Sequence, residues 1–283
     1  MIGHPVAHSR SPAMQTAALE ALGLGEEWSY EAIEMPPVDF EQLTRALPGE
    51  GFVGANVTIP HKRAALALAD WASAAATEIG AANTLSFAEG EIRAENTDAP
   101  GLLAALRKRP AGRRALVLGA GGSARAAAWA LAGQGASVEV WNRTPERADE
   151  LTRDLGRALG SAGDLPLLAA VSGAQAGAAS YELIVNCTAV GLEPGDDPFA
   201  SLPLAAERLG RGTTVIDLVY GGEDTRLVQV ARERGARVID GLEVLVRQGA
   251  ESLRIWTGKK PPLKRMREAA RRGAAAREGG SDG

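Results

Sequence analysis

The chain has 283 residues, 45% hydrophobic and 23% charged, which is more than one ordinary domain and leads to an expectation of two globular units with separate cores. Thirty-one basic against 35 acidic residues give a net charge of -4, so no field gathers nucleic acid or an anionic membrane, and a small-molecule partner is expected. The single Cys187 cannot form an internal disulfide, no Cys/His spacing suits a metal, no apolar run approaches the ~18 residues of a membrane span, and MIGHPVAHSR lacks an apolar signal core; the expectation is a metal-free, cytoplasmic chain.

Residues 11–22 (SPAMQTAALEAL) predict a helix with Ser11 as N-cap and Pro12 as its first residue. Residues 28–35 alternate like a strand, 38–47 read as helix, and the β-branched run 51–59 reads as a strand ended by Pro60. Helices follow over 61–71 and 73–80, then a hairpin turning at Glu89-Gly90. The first half closes near residues 98–101, and a helix over 99–108 leads onward. Short apolar runs at 114–119, 137–142, 181–188, 213–220 and 236–241, separated by helical segments, predict a doubly wound parallel sheet. The Gly/Ala-rich stretch 163–182 reads as a poorly defined link. After Gly241 an amphipathic helix carries Leu242, Leu245, Val246, Leu253 and Ile255 and is expected to return to the first domain, with a frayed helix and a disordered end beyond it. The domains expected are 1–98, 99–236, a helical return at 237–260 and a tail at 261–283.

LGAGGSA sets Gly119, Gly121 and Ala124 at G-x-G-x-x-A spacing, directly after a strand and opening a helix. Gly119 makes the tight turn, Gly121 lets backbone approach a pyrophosphate, and Ala124 allows close packing of helix on strand. Ala120, Gly122 and Ser123 complete a loop whose helix N-terminus faces the phosphates. The next strand ends at Asn142-Arg143-Thr144, where an NAD site would carry a carboxylate for the ribose hydroxyls. Arg143 and Arg147, one helical turn apart, can neutralise a 2′-phosphate, and positive charge at a helix start opposes its dipole unless a ligand needs it. NADP is the expected cofactor.

GHPVAHSRSPAM (3–14), GANVTIPHK (54–62), IGAANT (79–84) and ENTDAPG (95–101), followed by GAGGSARA, NRTPER, NCTAVGL, DLVY and GLEVLVRQGAESLRIWTG, together resemble the shikimate dehydrogenase family over nearly all of residues 2–258. The resemblance implies an α/β substrate domain, a Rossmann-type NADP domain and reversible reduction of 3-dehydroshikimate to shikimate on the route to chorismate and aromatic amino acids, in a cleft between the domains. It makes Lys62 the acid/base and Asp98 its partner; by residue type alone both would be surface groups. It assigns Ser9, Ser11 and Tyr220 to the substrate carboxylate, and Asn56, Thr58, Asn83 and Gln248 to the ring hydroxyls or the lining around them. Thr188, Leu218 and Gly241 match cofactor-side positions. Ser9 and Ser11 also fit a turn and a cap, and Gln248 a solvated helix face. His4, His8 and His61 read as loop residues, and Cys187 as a packed thiol.

Relatives usually have several more residues before the G-x-P motif; at ~3.3 Å per residue, Met1 and Ile2 cannot span a normal first strand, so a longer natural start is expected. GGEDTRL (221–227) lacks the proline common there, and its paired glycines predict a looser loop. The alternatives are a quinate or dual-specificity dehydrogenase, a non-catalytic NADP-binding paralogue and a folate-type dehydrogenase. A homodimer is left open.

Overall fold

The computed structural model describes residues 1–160, 167–193, 195–221 and 223–275. The chain divides into two compact units, Met1–Gly101 with the chain from Leu245 onward, and Leu102–Val244. Both crossings fall within helices, so the change of unit coincides with no break in secondary structure.

In the first unit, β1 (Ile2–Gly3) pairs in parallel with β2 (Ile33–Glu34), and Ile2 bridges to Val57. The strand at the start is thus two residues long. The alternating run 28–35 pairs only at its last positions, because alternation reports half-burial and not hydrogen bonding. Helix α1 (Ser11–Ala21) starts one residue earlier than expected: Arg10 holds the cap position and Ser11, with Pro12, lies in the first turn. The Ser11 N–H instead donates to Ser9 Oγ at 3.2 Å. Helix α2 (Phe40–Ala46) precedes β3 (Gly54–Asn56), and α3 (Lys62–Leu68) follows the Pro60 turn. Strand β4 (Trp71–Ala72) and α4 (Ala74–Ile79), capped by Ser73, lead to β5 (Thr84–Ala88) and β6 (Glu91–Glu95). The hairpin turns at Glu89 and Gly90, both with positive φ. The strand order β3-β5-β6-β4 sets Asn56 beside Thr84 and Thr84 beside Glu95, abreast at one end of the sheet. Ile2, Phe40, Leu85 and Ala94 are in the core of this unit.

Helix α5 (Asp98–Leu106) carries the chain into the second unit. There β7 (Arg114–Leu118), α6 (Gly122–Gly133), β8 (Ser137–Trp141), α7 (Pro145–Leu159), β9 (Leu168–Ala170), α8 (Gly173–Ala178), β10 (Leu183–Asn186), α9 (Pro198–Ser201), β11 (Thr214–Asp217), α10 (Arg226–Glu233) and β12 (Arg237–Ile239) alternate. The six strands are all parallel in the order β12-β11-β10-β7-β8-β9, the doubly wound sheet expected from their apolar runs. The link expected over 163–182 proves more regular. It contains the edge strand β9 and α8, whose start is fixed by reciprocal Ser172–Gln175 bonds, a capping box hidden among the alanines and glycines.

Helix α11 (Gly241–Thr257) returns to the first unit, and α12 (Leu263–Ala275) packs along α1. A frayed helix was the expectation for α12. Its buried Met266, Ala269 and Ala270 recur at i, i+3 and i+4, and a buried Met alone contributes about 1.5–3 kcal/mol. The expectations for residues 163–166, Gly222 and the final eight residues lie outside the described residues.

Candidate active site

Lys62 is the first residue of α3, set there by the Pro60 turn, and Asp98 is the first residue of α5. Lys62 Nζ lies 2.5 Å from Asp98 Oδ2, with the two side chains only 11% and 16% exposed. An ammonium and a carboxylate so far removed from water need their remaining bonds supplied by the protein. Asn83 does this at Asp98, its Nδ2 donating to Asp98 Oδ1 at 2.9 Å.

Asn83 Nδ2 is also 2.9 Å from Thr97 Oγ1 and 3.1 Å from Gln248 Oε1, while its Oδ1 accepts from the Thr97 N–H at 2.6 Å. Gln248 is 8% exposed on the buried face of α11, which disposes of a solvated position. Asn56 stands at the end of β3; its Oδ1 accepts from Tyr30 Oη at 2.8 Å and its Nδ2 donates to Ser252 Oγ at 2.7 Å. Lys62, Asp98, Asn83, Gln248 and Asn56 thus share one buried polar network. Ser9 and Ser11 are joined at the start of α1. The Thr58 N–H donates to Ile2 O at 3.0 Å, between β1 and the Pro60 turn.

His61 departs from the loop residue expected: it is 2% exposed, stacks on Phe40 with centroids 4.2 Å apart, and bonds to Met35 O through Nε2 at 2.7 Å. It is a packed core histidine beside Lys62. Among the described residues no group of three His, Cys, Asp or Glu side chains could hold a metal ion. No helix among them is long and apolar enough to cross a membrane.

In the second unit the glycine turn joins β7 to α6. Gly119 has φ +105°, and a Cβ there would lie 3.2 Å from Cys187 O, so both its conformation and its neighbour demand glycine. Beyond it, Ala120 is half-buried, Gly121 caps α6 in extended backbone with open space where a Cβ would stand, and Gly122 and Ser123 begin the helix. Ala124 is fully buried, as close packing of helix on strand requires. This is a glycine-lined turn at a helix N-terminus, suited to a pyrophosphate. Asn142 Nδ2 donates to Thr144 O at 2.9 Å and so shapes the turn before α7. Arg143, Thr144 and Arg147 are exposed there, and neither arginine has an ion-pair partner among the described residues. The set fits NADP: two unspent guanidinium groups beside the turn and no carboxylate at 142–144.

Thr188, Leu218 and Gly241 gather at the ends of β10, β11 and β12, with Gly241 buried against the Leu218 carbonyl. Tyr220, two residues beyond Leu218, is half-buried. What the sequence reading missed is the group fastening these loops. Asp217 is fully buried; its Oδ1 accepts from Asn186 Nδ2 at 2.9 Å and the Val219 N–H at 3.1 Å, and its Oδ2 from Thr225 Oγ1 at 2.6 Å. Asn186 in turn accepts from the Thr188 hydroxyl at 2.7 Å. An aspartate and a threonine at both ends of the 217–225 loop were the available signal.

Burial pushes the Asp217 carboxyl above its ordinary range, against the three bonds that favour its charge. The native state therefore holds this proton more tightly than the unfolded chain, so its stabilising share is present below about pH 4 and is lost as pH rises through the folded titration. Urea unfolding at a series of pH values is expected to show this falling slope in the wild-type protein and its loss in Asp217→Asn. Identical slopes would remove Asp217 as the cause.

A parallel sheet with a phosphate-cradling turn, together with a buried ammonium–carboxylate pair in an α/β unit, defines the class of nicotinamide-dependent oxidoreductases. Family models match in three pieces: the shikimate dehydrogenase substrate binding domain over residues 1–85, shikimate / quinate 5-dehydrogenase over 103–189, and the shikimate 5′-dehydrogenase C-terminal domain over 241–271. The chain is 48% identical over 280 residues to a shikimate dehydrogenase (NADP(+)) of Thermus thermophilus, covering 96% of this chain and 97% of that protein. The crystal structure of a shikimate 5-dehydrogenase from another strain of that species, in complex with NADP(H) and shikimate, superposes with a TM-score of 0.82 at 44% identity, covering 96% and 97% of the two chains. A quinate dehydrogenase from Corynebacterium glutamicum in complex with NAD is similar at 30% identity and a TM-score of 0.81, over 95% and 96%. The chain belongs to the shikimate dehydrogenase family.

Proposed function

We propose that this chain is a cytoplasmic, NADP-dependent shikimate dehydrogenase that reversibly reduces 3-dehydroshikimate to shikimate, on the route to chorismate and the aromatic amino acids. The observation that carries this reading is the buried Lys62–Asp98 pair with Asn83 bonded to its carboxylate. The bound cofactor supplies the hydride. As the substrate carbonyl is reduced, its oxygen gains negative charge; the Lys62 ammonium stabilises that charge and donates a proton from Nζ. Asp98 holds the ammonium in place and can accept a bond from an adjacent substrate hydroxyl.

Ser9, Ser11 and Tyr220 take the carboxylate in this reading, and Asn56, Thr58, Asn83 and Gln248 serve the ring hydroxyls. Such neutral groups penalise a substrate that lacks a hydroxyl, because a buried partner is then left unbonded. Gly119, Ala120, Gly121, Gly122, Ser123 and Ala124 cradle the pyrophosphate. Asn142, Arg143, Thr144 and Arg147 receive the 2′-phosphate, and Thr188, Leu218 and Gly241 line the nicotinamide side.

Steady-state assay of the purified protein with shikimate and quinate, each with NADP and NAD, tests the proposal. Shikimate with NADP should give the highest kcat/KM; a preference for quinate with NAD would replace the reading, and no turnover with any pair would favour a non-catalytic paralogue. Arg143→Ala should raise the KM for NADP about tenfold or more, the worth of a charge-assisted bond to phosphate, and leave that for NAD nearly unchanged. Equal effects on both cofactors would count against Arg143 as the phosphate partner.

A further inference from the structure

Gln248, Ser252 and Trp256 recur every four residues along α11 and therefore lie on one face. Trp256 Nε1 donates to Leu85 O at 3.0 Å, and Gln248 Oε1 accepts from Asn83 at 3.1 Å. Between them Ser252 is fully buried. Its Oγ is 2.7 Å from Asn56 Nδ2, 2.9 Å from Thr84 Oγ1, 3.1 Å from Thr97 Oγ1 and 3.2 Å from Gln248 O.

A hydroxyl has one hydrogen and two lone pairs. Asn56 Nδ2 occupies one lone pair, and the hydrogen with the remaining lone pair is shared among the two threonines and the Gln248 carbonyl. A serine that only satisfied its own helix would bond to the carbonyl four residues back and nothing else. Ser252 instead joins residues from three places in the first unit: Asn56 at the end of β3, Thr84 at the start of β5, and Thr97 next to Asp98. From Thr97 the bonds continue to Asn83, and from Asn83 to the Asp98 carboxylate. Asn56 Oδ1 accepts from Tyr30, and its Nδ2 donates to Ser252 and also to the Asn83 carbonyl at 3.3 Å, an acceptor-only group that a flipped amide oxygen could not bond.

We propose that Ser252 is a positioning residue for substrate recognition: its hydroxyl fixes the Asn56 amide and, through Thr97 and Asn83, the carboxylate that holds Lys62. This rests on the functional reading above. The serine touches none of the reacting atoms; it acts by keeping three separately contributed groups in one arrangement, where an error of 1 Å is costly.

The test is steady-state kinetics of the full chain carrying Ser252→Ala or Ser252→Cys, with hydrogen exchange at the Thr97 amide measured on the same proteins. In Ser252→Ala the KM for shikimate is expected to rise about tenfold and kcat to fall severalfold, with the KM for NADP within twofold of wild type. Ser252→Cys, nearly isosteric but with a weak S–H donor, is expected to lie between them, and it supplies the same readout if the alanine variant does not fold. A lowered Tm with unchanged kcat and shikimate KM would mean a purely structural serine and would overturn the proposal. Should the wild-type protein not turn over shikimate, the functional reading fails by itself. Ser252 is then judged by exchange alone: about tenfold faster at Thr97 with no change at the Ile92 amide supports the positioning role, and no change at Thr97 refutes it.

Discussion

Lys62→Ala is expected to lower turnover by about 10² to 10⁴ while changing the KM for shikimate little, through loss of acid/base catalysis. The ammonium is the only cation placed against Asp98 by a described ion pair, at 2.5 Å, and an alanine can neither donate a proton nor offset charge on the substrate oxygen. In the proposed reading substrate affinity rests mainly on neutral side chains, which is why KM should hold. Removing the lysine also leaves Asp98 bonded to Asn83 without its counter-charge, an unbalanced carboxylate 16% exposed, so the variant's folding must be verified by circular dichroism before its rate is read. Asp98→Asn should itself reduce kcat, and the double variant should be scarcely worse than Lys62→Ala, since two groups acting as a unit are not additive. Near-normal turnover of Lys62→Ala would exclude this residue from the chemistry.

The glycine turn of the second unit and the polar network of the first were legible to different degrees, for physical reasons. The Gly119–Ala124 turn is local: strand, turn and helix lie within one continuous stretch, and each small residue has its own steric cause. Lys62 and Asp98 are 36 residues apart, and nothing in their neighbours' periodicity says that they meet; only the resemblance of whole motifs brought them together. Thr84, Thr97 and Ser252 escaped because a buried hydroxyl looks in sequence like any polar residue, although the Gln248, Ser252, Trp256 stripe could have been read from its four-residue period. Asp217 sits at the end of an apolar strand, where a carboxylate signals a turn as readily as a latch. Strand lengths were overestimated at 28–35 and 51–59 because an alternating or β-branched pattern reports a surface half in the core, and pairing depends on a partner elsewhere in the chain. Helix α12 was undervalued for the opposite reason: its arginines dominate the composition, and its narrow Met266–Ala270 stripe matters only once α1 is there to receive it.

The largest effect on stability is expected from Gly54→Ala. On β3 an alanine Cβ would stand 2.3 Å from Trp256 Nε1 and 2.5 Å from Leu85 O, both inside any real contact distance. Neither neighbour can yield cheaply. Leu85 belongs to β5, which pairs with β3 on one side and β6 on the other, so its carbonyl moves only with the sheet. The indole is fixed by its own bond to that same carbonyl and lies against Tyr30 with centroids 6.3 Å apart. Overpacking costs about 1–3 kcal/mol, and parting the indole from Leu85 O adds about 1–3 kcal/mol for a buried polar group left unbonded. Thermal unfolding of the first unit should therefore fall by roughly 10 °C, at the few degrees per kcal/mol typical of a domain this size. Adding Trp256→Phe to Gly54→Ala should recover part of the loss, because it removes the nearer overlap and leaves the one with Leu85. The coupling decides the cause: strictly additive losses would show that the indole is not what the new methyl meets, and a Gly54→Ala protein within 0.5 kcal/mol of wild type would show that β3 and α11 can separate freely, so that the helix bearing Gln248 and Ser252 is held by its polar bonds alone.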